Sequence, residues 1–349
     1  MSGARELSYA QALYEGVVQE MERDPGVFVY GLGVDDPKGM YGTTKDLHVR
    51  FGAERCFDHP LSEDALTGFG IGAALAGMRP IHVHQRMDFL LLCMNQLVNI
   101  AAKTHYMFGG AFTVPLVVRA IIGRSWGQGA QHSQAFHSYF MNVPGIKIVA
   151  PVTPHDAKGA LIAAIRDNNP VVFMEHRMLY NHRGVVPEQP FAIEFGKARV
   201  LAPGSDLTLV AISHVVVESV RAAHHLEKAG ISAEVIDPVS LQPLDVDSIV
   251  RSVEKTGRLL VVDNGWVTAG AAAEIMAAVA ERLGHSRTVP MARMGFAATP
   301  CPTTKPLENE FYPNARTIAA RAHELVTGRG GWMPDGEEAR EIAEFKGPF

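Results

Sequence analysis

The sequence has only three cysteines, Cys56, Cys93 and Cys301, and they stand far apart. An odd number at such spacing gives neither a disulfide framework nor a zinc-ligand pattern, and a reduced cytoplasmic compartment is expected. No apolar run approaches the roughly 20 residues that a bilayer requires. The opening Met1-Ser2-Gly3-Ala4-Arg5-Glu6 lacks the apolar stretch of a secretory signal. Charge of one sign is lacking too. The 32 Lys and Arg face 37 Asp and Glu, a formal net charge of −5, and the basic residues are scattered. A nucleic-acid surface and a polybasic membrane patch are thereby excluded. No short internal repeat is visible.

What is present is an ordinary globular composition, 47% hydrophobic and 20% charged over 349 residues. That is long enough for two domains, each with its own core. Leu13, Val17, Val18 and Met21 form one stripe of a helix over 9–23. Val27-Phe28-Val29-Tyr30 then reads as a buried strand ending at Gly31–Gly33. Ser62 is placed to cap a helix over 63–77 whose glycines (Gly68, Gly70, Gly72, Gly77) are poor helix formers. They make sense where another helix or a ligand approaches the backbone closely. Strands are expected at 80–84, 114–122, 146–150 and 171–174, with helices at 88–107 and 154–167 between them. After a polar stretch around 181–195 the alternation restarts, with strands at 207–212, 233–237 and 259–263 and helices at 215–229, 245–255 and 269–283.

Strand–helix alternation with continuous apolar strands predicts an α/β protein with two domains rich in parallel sheet. The expected boundaries are a first domain at 1–190, a link at 191–204, a second domain at 205–326 and a charged tail at 327–349. His82 and His84 lie two apart on a strand and share a face that could bind a metal, but no further ligand stands at suitable local spacing. Asp167-Asn168-Asn169-Pro170 reads as a turn after a helix, and His224-His225 as the surface of one.

The segment Asp58-His59-Pro60-Leu61-Ser62-Glu63-Asp64 places a carboxylate just past a helix start, by itself an ordinary dipole-stabilising group. Its surroundings say more. It is followed by the glycine-rich helix, Arg79-Pro80-Ile81-His82-Val83-His84-Gln85-Arg86-Met87-Asp88-Phe89, Asn95-Gln96-Leu97-Val98-Asn99, Ala130-Gln131-His132-Ser133-Gln134 and Pro151-Val152-Thr153-Pro154-His155-Asp156-Ala157-Lys158-Gly159. Later come Glu234-Val235-Ile236-Asp237, Pro243-Leu244-Asp245 and Lys255-Thr256-Gly257-Arg258. In order and spacing these resemble the β chains of thiamine-diphosphate-dependent 2-oxo acid dehydrogenases of the pyruvate, branched-chain and acetoin types.

The resemblance implies a pyrimidine-binding domain followed by a transketolase-type C-terminal domain. Glu63 would hydrogen-bond the aminopyrimidine of thiamine diphosphate, inside an apolar enclosure for which Leu61, Leu66 and Phe89 are candidate walls. Phe89 would stack on that ring, with Gln85 on the same segment and Leu61 packing on the cofactor. His132 matches a histidine at the site's mouth, suited to proton transfer as the acyl unit is handed on. In some members the positions of Leu116, Ala164, Asp167 and Asn169 surround a structural potassium ion. The Gly-Asp-Gly segment that holds the diphosphate and Mg²⁺ in this class is absent here. That implies an α-type partner chain supplying it, usually as α2β2, with a lipoyl carrier as acyl acceptor. Leu32 stands where the family has a glutamate thought to relay protons between paired sites; Asp35 or Asp36 would have to replace it. Two other functions stay open: a two-chain carboligase or transketolase-like enzyme that passes the carbon unit to an aldehyde, and a non-catalytic scaffold β chain.

Overall fold

The structure is a computed structural model and describes residues 5–123, 127–284 and 288–335. The chain divides into two compact units. The first comprises residues 5–123 together with Tyr139–Phe195. The second takes residues 127–138 and the described residues from Gly196 onward.

The first unit holds β1 (Glu6–Ser8), β2 (Val27–Gly31), β3 (Cys56–Asp58), β4 (Arg79–His84), β5 (Val117–Ile122), β6 (Lys147–Val149), β7 (Val171–His176) and β8 (Arg183–Val185). Its sheet runs β6-β7-β5-β4-β2-β3, and every pair is parallel. Unbroken runs such as Val27-Phe28-Val29-Tyr30 are the signature of strands covered on both faces. The helices are α1 (Tyr9–Arg23), α2 (Leu47–Phe51), α3 (Glu63–Leu75), α4 (Ala102–Met107), α5 (His137–Met141) and α6 (Pro154–Arg166), of which α5 straddles the boundary between the units. α1 starts at a Ser8 capping box with Gln11 and packs against α6.

Three departures from the sequence reading have physical causes. The single helix expected over 88–107 is three pieces: a 3₁₀ segment at Met87–Cys93, wide π-turns at Asn95–Ala101, and α4. Apolar spacing barely separates either winding from an α-helix, because each differs from it by less than a residue per turn. Second, the polar stretch after β7 is no free link. β8 pairs antiparallel with β1, and the buried Lys158 ammonium binds the carbonyls of Pro187 (2.7 Å), Glu188 (3.0 Å) and Gln189 (3.2 Å). Phe191 lies against Gly159, where a Cβ would come within 2.6 Å of its ring. Third, the rest of the expected link forms β9 (Arg199–Ala202), an edge strand of the second unit.

That second sheet runs β14-β13-β10-β11-β9, built from β10 (Leu207–Ala211), β11 (Ala233–Asp237), β13 (Leu259–Trp266) and β14 (Met291–Phe296); a short β12 spans Ser240–Gln242. Its pairs are parallel except β9 against β11. Helices α7 (Val215–Lys228), α8 (Val246–Thr256), α9 (Ala271–Leu283), α10 (Lys305–Phe311) and α11 (Ala315–Thr327) accompany it. His224 is exposed on α7 and His225 half-buried. The tail begins by folding back: Trp332 stacks on His323 at 4.4 Å and the Pro334 carbonyl accepts from Arg316. The charged segment Glu337–Phe349 lies outside the described residues. Among the described residues no helix is long and apolar enough to cross a membrane.

Candidate active site

The carboxyl ends of β2, β3 and β4 are adjacent, the usual place for a ligand in a parallel sheet. Asp58, the last residue of β3, gathers the loop that leaves β2. Its carboxylate accepts the backbone N–H groups of Gly33 (2.9 Å), Val34 (2.6 Å) and Asp35 (3.3 Å). The next residues, His59 to Ser62, turn the chain into α3, so Glu63 becomes the first residue of that helix. Ser62 was expected to cap it. Its hydroxyl makes no capping bond, because φ −166° and ψ 65° take it away from the usual cap geometry. Negative charge at this helix start therefore comes from Glu63 and Asp64.

α3 can lie close on the sheet because Gly70 has no side chain. A Cβ there would sit 2.0 Å from the Tyr30 hydroxyl, which donates to the Leu66 carbonyl at 3.0 Å. Tyr30 and His82 are register partners on β2 and β4 and stack at 4.3 Å beneath the helix.

β4 runs out into Gln85, whose amide donates to the Leu32 carbonyl at 3.0 Å. The 3₁₀ segment follows, carrying Phe89, and it packs against α3. Glu63, Gln85 and Phe89 thus come from adjoining segments at one end of one sheet. Glu63 is half-buried, Gln85 exposed, and Phe89 keeps 37% of its surface open. Leu61 does not wall Glu63 in, since it is 77% exposed on the turn before α3. Leu66 lies half-buried one turn along.

His132 belongs to the other unit. Its loop passes through Gly127 and Gly129, where a Cβ would meet Thr303 within 2.6 Å. His132 itself is half-buried, and its N–H reaches the Gly129 carbonyl at 3.4 Å.

The four residues expected around a potassium ion lie near the carboxyl end of α6 and the starts of β5 and β7. The Leu116 carbonyl accepts from Val171 and the Ala164 carbonyl from Asp167. The Asp167 carboxylate pairs with Lys147 and accepts the Asn169 N–H at 2.9 Å. Arg79 donates to the Ile165 and Asp167 carbonyls, both at 3.0 Å. Lys147 and Arg79 thus bring two protein cations to this helix end.

Residues 5–183 match the transketolase pyrimidine-binding domain and residues 196–318 the transketolase C-terminal domain. The β subunit of an acetoin:2,6-dichlorophenolindophenol oxidoreductase from Cupriavidus necator is 43% identical over 335 residues, 93% of this chain and 99% of that one. The β subunit of the pyruvate dehydrogenase E1 component of Porphyra purpurea is 44% identical over 304 residues, 85% and 90% of the two chains. The chain belongs to the transketolase-like β chains of 2-oxo acid dehydrogenases. A solved split-gene transketolase, described as an inactive β4 tetramer, superposes on this β chain with a TM-score of 0.74 at 22% identity, covering 92% of it and 99% of that chain, which shows the shared fold.

The family is thiamine-diphosphate-dependent, and the residues of this β chain fit one end of that cofactor. A carboxylate, an open aromatic ring and an exposed amide suit a flat heterocycle. For the diphosphate and its metal the fit is poor. Asp35, Asp36 and Asp58 bring exposed carboxylate oxygens within 4.8 Å of one another. The Asp58 carboxylate, however, is taken up by three backbone donors, and the cluster adds negative charge where a diphosphate would need positive.

What the sequence missed is the company of His82. Across the strands it meets His59, and along its own strand His84. The alternation of His82 and His84 was legible; the parallel register that adds His59 was not.

Proposed function

We propose that this is the pyrimidine-binding β chain of a thiamine-diphosphate-dependent 2-oxo acid dehydrogenase. It acts with an α-type chain that holds the diphosphate and Mg²⁺, and the acyl unit goes to a lipoyl carrier. The observation that carries the reading is Glu63, half-buried at the start of α3 beside the Phe89 segment, at the carboxyl edge of a parallel sheet. The cofactor supplies a carbon nucleophile able to stabilise the charge left by decarboxylation.

The work of the chain's own residues is then plain. The Glu63 carboxyl shares a proton with a ring nitrogen of the aminopyrimidine and holds the ring's tautomer. Phe89 gives the ring a face to stack on, and Gln85 fixes the edge of that site through Leu32. Leu61, exposed on the turn, presents an apolar surface for the cofactor and the partner chain. His132, on a separate loop, hands a proton to the departing acyl unit.

The test is Glu63→Gln in the complex reconstituted with its α-type chain. Carbon dioxide release should fall by roughly 10²-fold or more, the usual loss for a positioned proton-transfer group. A fully active variant overturns the reading. Aldehyde ligation without acyl transfer to lipoamide would instead favour a carboligase.

A further inference from the structure

Three imidazoles lie in a line under the first turns of α3. His59 Nε2 is 3.2 Å from His82 Nε2, and His82 Nδ1 is 3.2 Å from His84 Nε2. At the outer end, His59 Nδ1 is 2.8 Å from the Pro60 carbonyl. A carbonyl only accepts, so Nδ1 of His59 carries the hydrogen and its Nε2 is bare. His82 must then present Nε2–H to it, which leaves His82 Nδ1 bare, and His84 must present Nε2–H in turn. One carbonyl sets three tautomers.

A shared metal is ruled out by the same geometry. His82 meets its two neighbours through different ring nitrogens, and no single ion can take both.

We propose that His59, His82 and His84 form a proton relay serving the site headed by Glu63, with His59 as its outer terminal. Uptake of one proton at His84 Nδ1 moves the His84 Nε2–H to His82 Nδ1, and the His82 Nε2–H to His59 Nε2. His84 and His82 end neutral in the opposite tautomer, and the charge rests on His59. His59 passes its Nδ1–H to water, which leaves all three rings in the opposite tautomer; the reverse transfer, with a proton taken up at His59 Nδ1 and given out at His84 Nδ1, restores the line.

Burial supports this division of labour. His82 is fully buried and His84 only 4% exposed, whereas His59 is half-buried and touches solvent. Burial first, then the neighbouring imidazoles, hold His82 well below the ordinary histidine range and bring His84 down to about 3. The inner rings therefore pass a proton without keeping it.

The groups facing the line fit as well. Tyr30 of β2 stacks on His82, and burial pushes its phenol up, out of play. Thr67 of α3 sets its hydroxyl 3.4 Å from His82 Nδ1, and Glu63 lies one turn earlier on the same helix face. Cys93, 4.0 Å from His84, is a neutral thiol pushed up to about 12, first by burial and also by the charges of Glu63 and Asp64. Glu63 and Asp64 thus act on the thiol that lies beside the inner end of the line. The role in catalysis rests on Glu63 being the acid of the thiamine site.

The test is a pH titration of the full chain, ¹⁵N-labelled at histidine, read by the NMR shifts of each ring nitrogen. In alkaline solution His59 should be the Nδ1–H tautomer and His82 and His84 the Nε2–H tautomers. As His59 takes its charge, both inner rings should switch to Nδ1–H with the same midpoint, and neither should become charged. Inner rings that keep their tautomers, or that charge independently, overturn the relay, and no variant is needed to see it. His82→Phe keeps a ring against Tyr30 and cuts the line. It should uncouple His84 from His59, and in the assembled enzyme lower kcat by roughly 10²-fold with KM retained. Full turnover by that variant, despite coupled tautomers in the parent, overturns the role in catalysis. The thiamine reading fails separately, through an active Glu63→Gln enzyme.

Discussion

At the scale of single residues, the buried histidines carry a cost that acid should expose. An unfolded chain binds protons on His82 and His84 near the ordinary value of 6.5, while the folded chain refuses them until far lower pH. The unfolded state therefore binds more protons below about pH 6.5, and stability must fall as pH falls. His84 alone should cost about 2 kcal/mol between pH 7 and pH 5, because a tenfold rise in proton concentration favours the protonated unfolded chain by about 1.4 kcal/mol. Urea midpoints for the parent and His84→Gln at the two pH values check this, and the variant should lose less on acidification. That Glu63, Gln85 and Phe89 come from neighbouring segments was legible, because they sit in short contiguous motifs. The histidine line was not, since joining His59 to His82 needs the register of β2, β3 and β4. Nor was the balance at Asp167, where a turn motif gives no hint that Lys147 and Arg79 arrive from distant strands.

Among the elements, α3 shows how a poor helix former becomes necessary. Gly70 and Gly72 look equivalent in the sequence, yet a Cβ at Gly70 meets the Tyr30 hydroxyl and one at Gly72 meets nothing within 4 Å. Gly70→Ala should destabilise the first unit by about 1–3 kcal/mol, the usual cost of overpacking. Gly72→Ala should stabilise it by up to about 1 kcal/mol through helix propensity. Chemical denaturation of both variants tests the pair, and equal effects would contradict the close approach of α3 to β2. The sequence pattern located this helix through its local run of small residues after Glu63, although Ser62 makes no capping bond. It could not locate β1 and β8, whose pairing joins residues 6–8 to 183–185, and it fused the 3₁₀, π and α windings of 87–107 into one helix.

For the whole molecule, the two-part alternation of strands and helices was readable because parallel strands covered on both faces are continuous apolar runs. The boundary was harder. Residues 127–138, which carry His132, belong with the second unit although they fall between strands of the first. A segment that leaves one core and returns to it breaks the equation of sequence order with domain order. In the proposed reading the site is partial in this chain: an acid, a ring and an amide suit the heterocycle, and Asp35, Asp36 and Asp58 are the wrong sign for a diphosphate. The most direct measurement is release of carbon dioxide from a panel of 2-oxo acids, with thiamine diphosphate and Mg²⁺, by this chain alone, by its α-type partner alone and by the two together. The account predicts turnover from the pair and from neither chain by itself. Robust turnover by the isolated chain would contradict it.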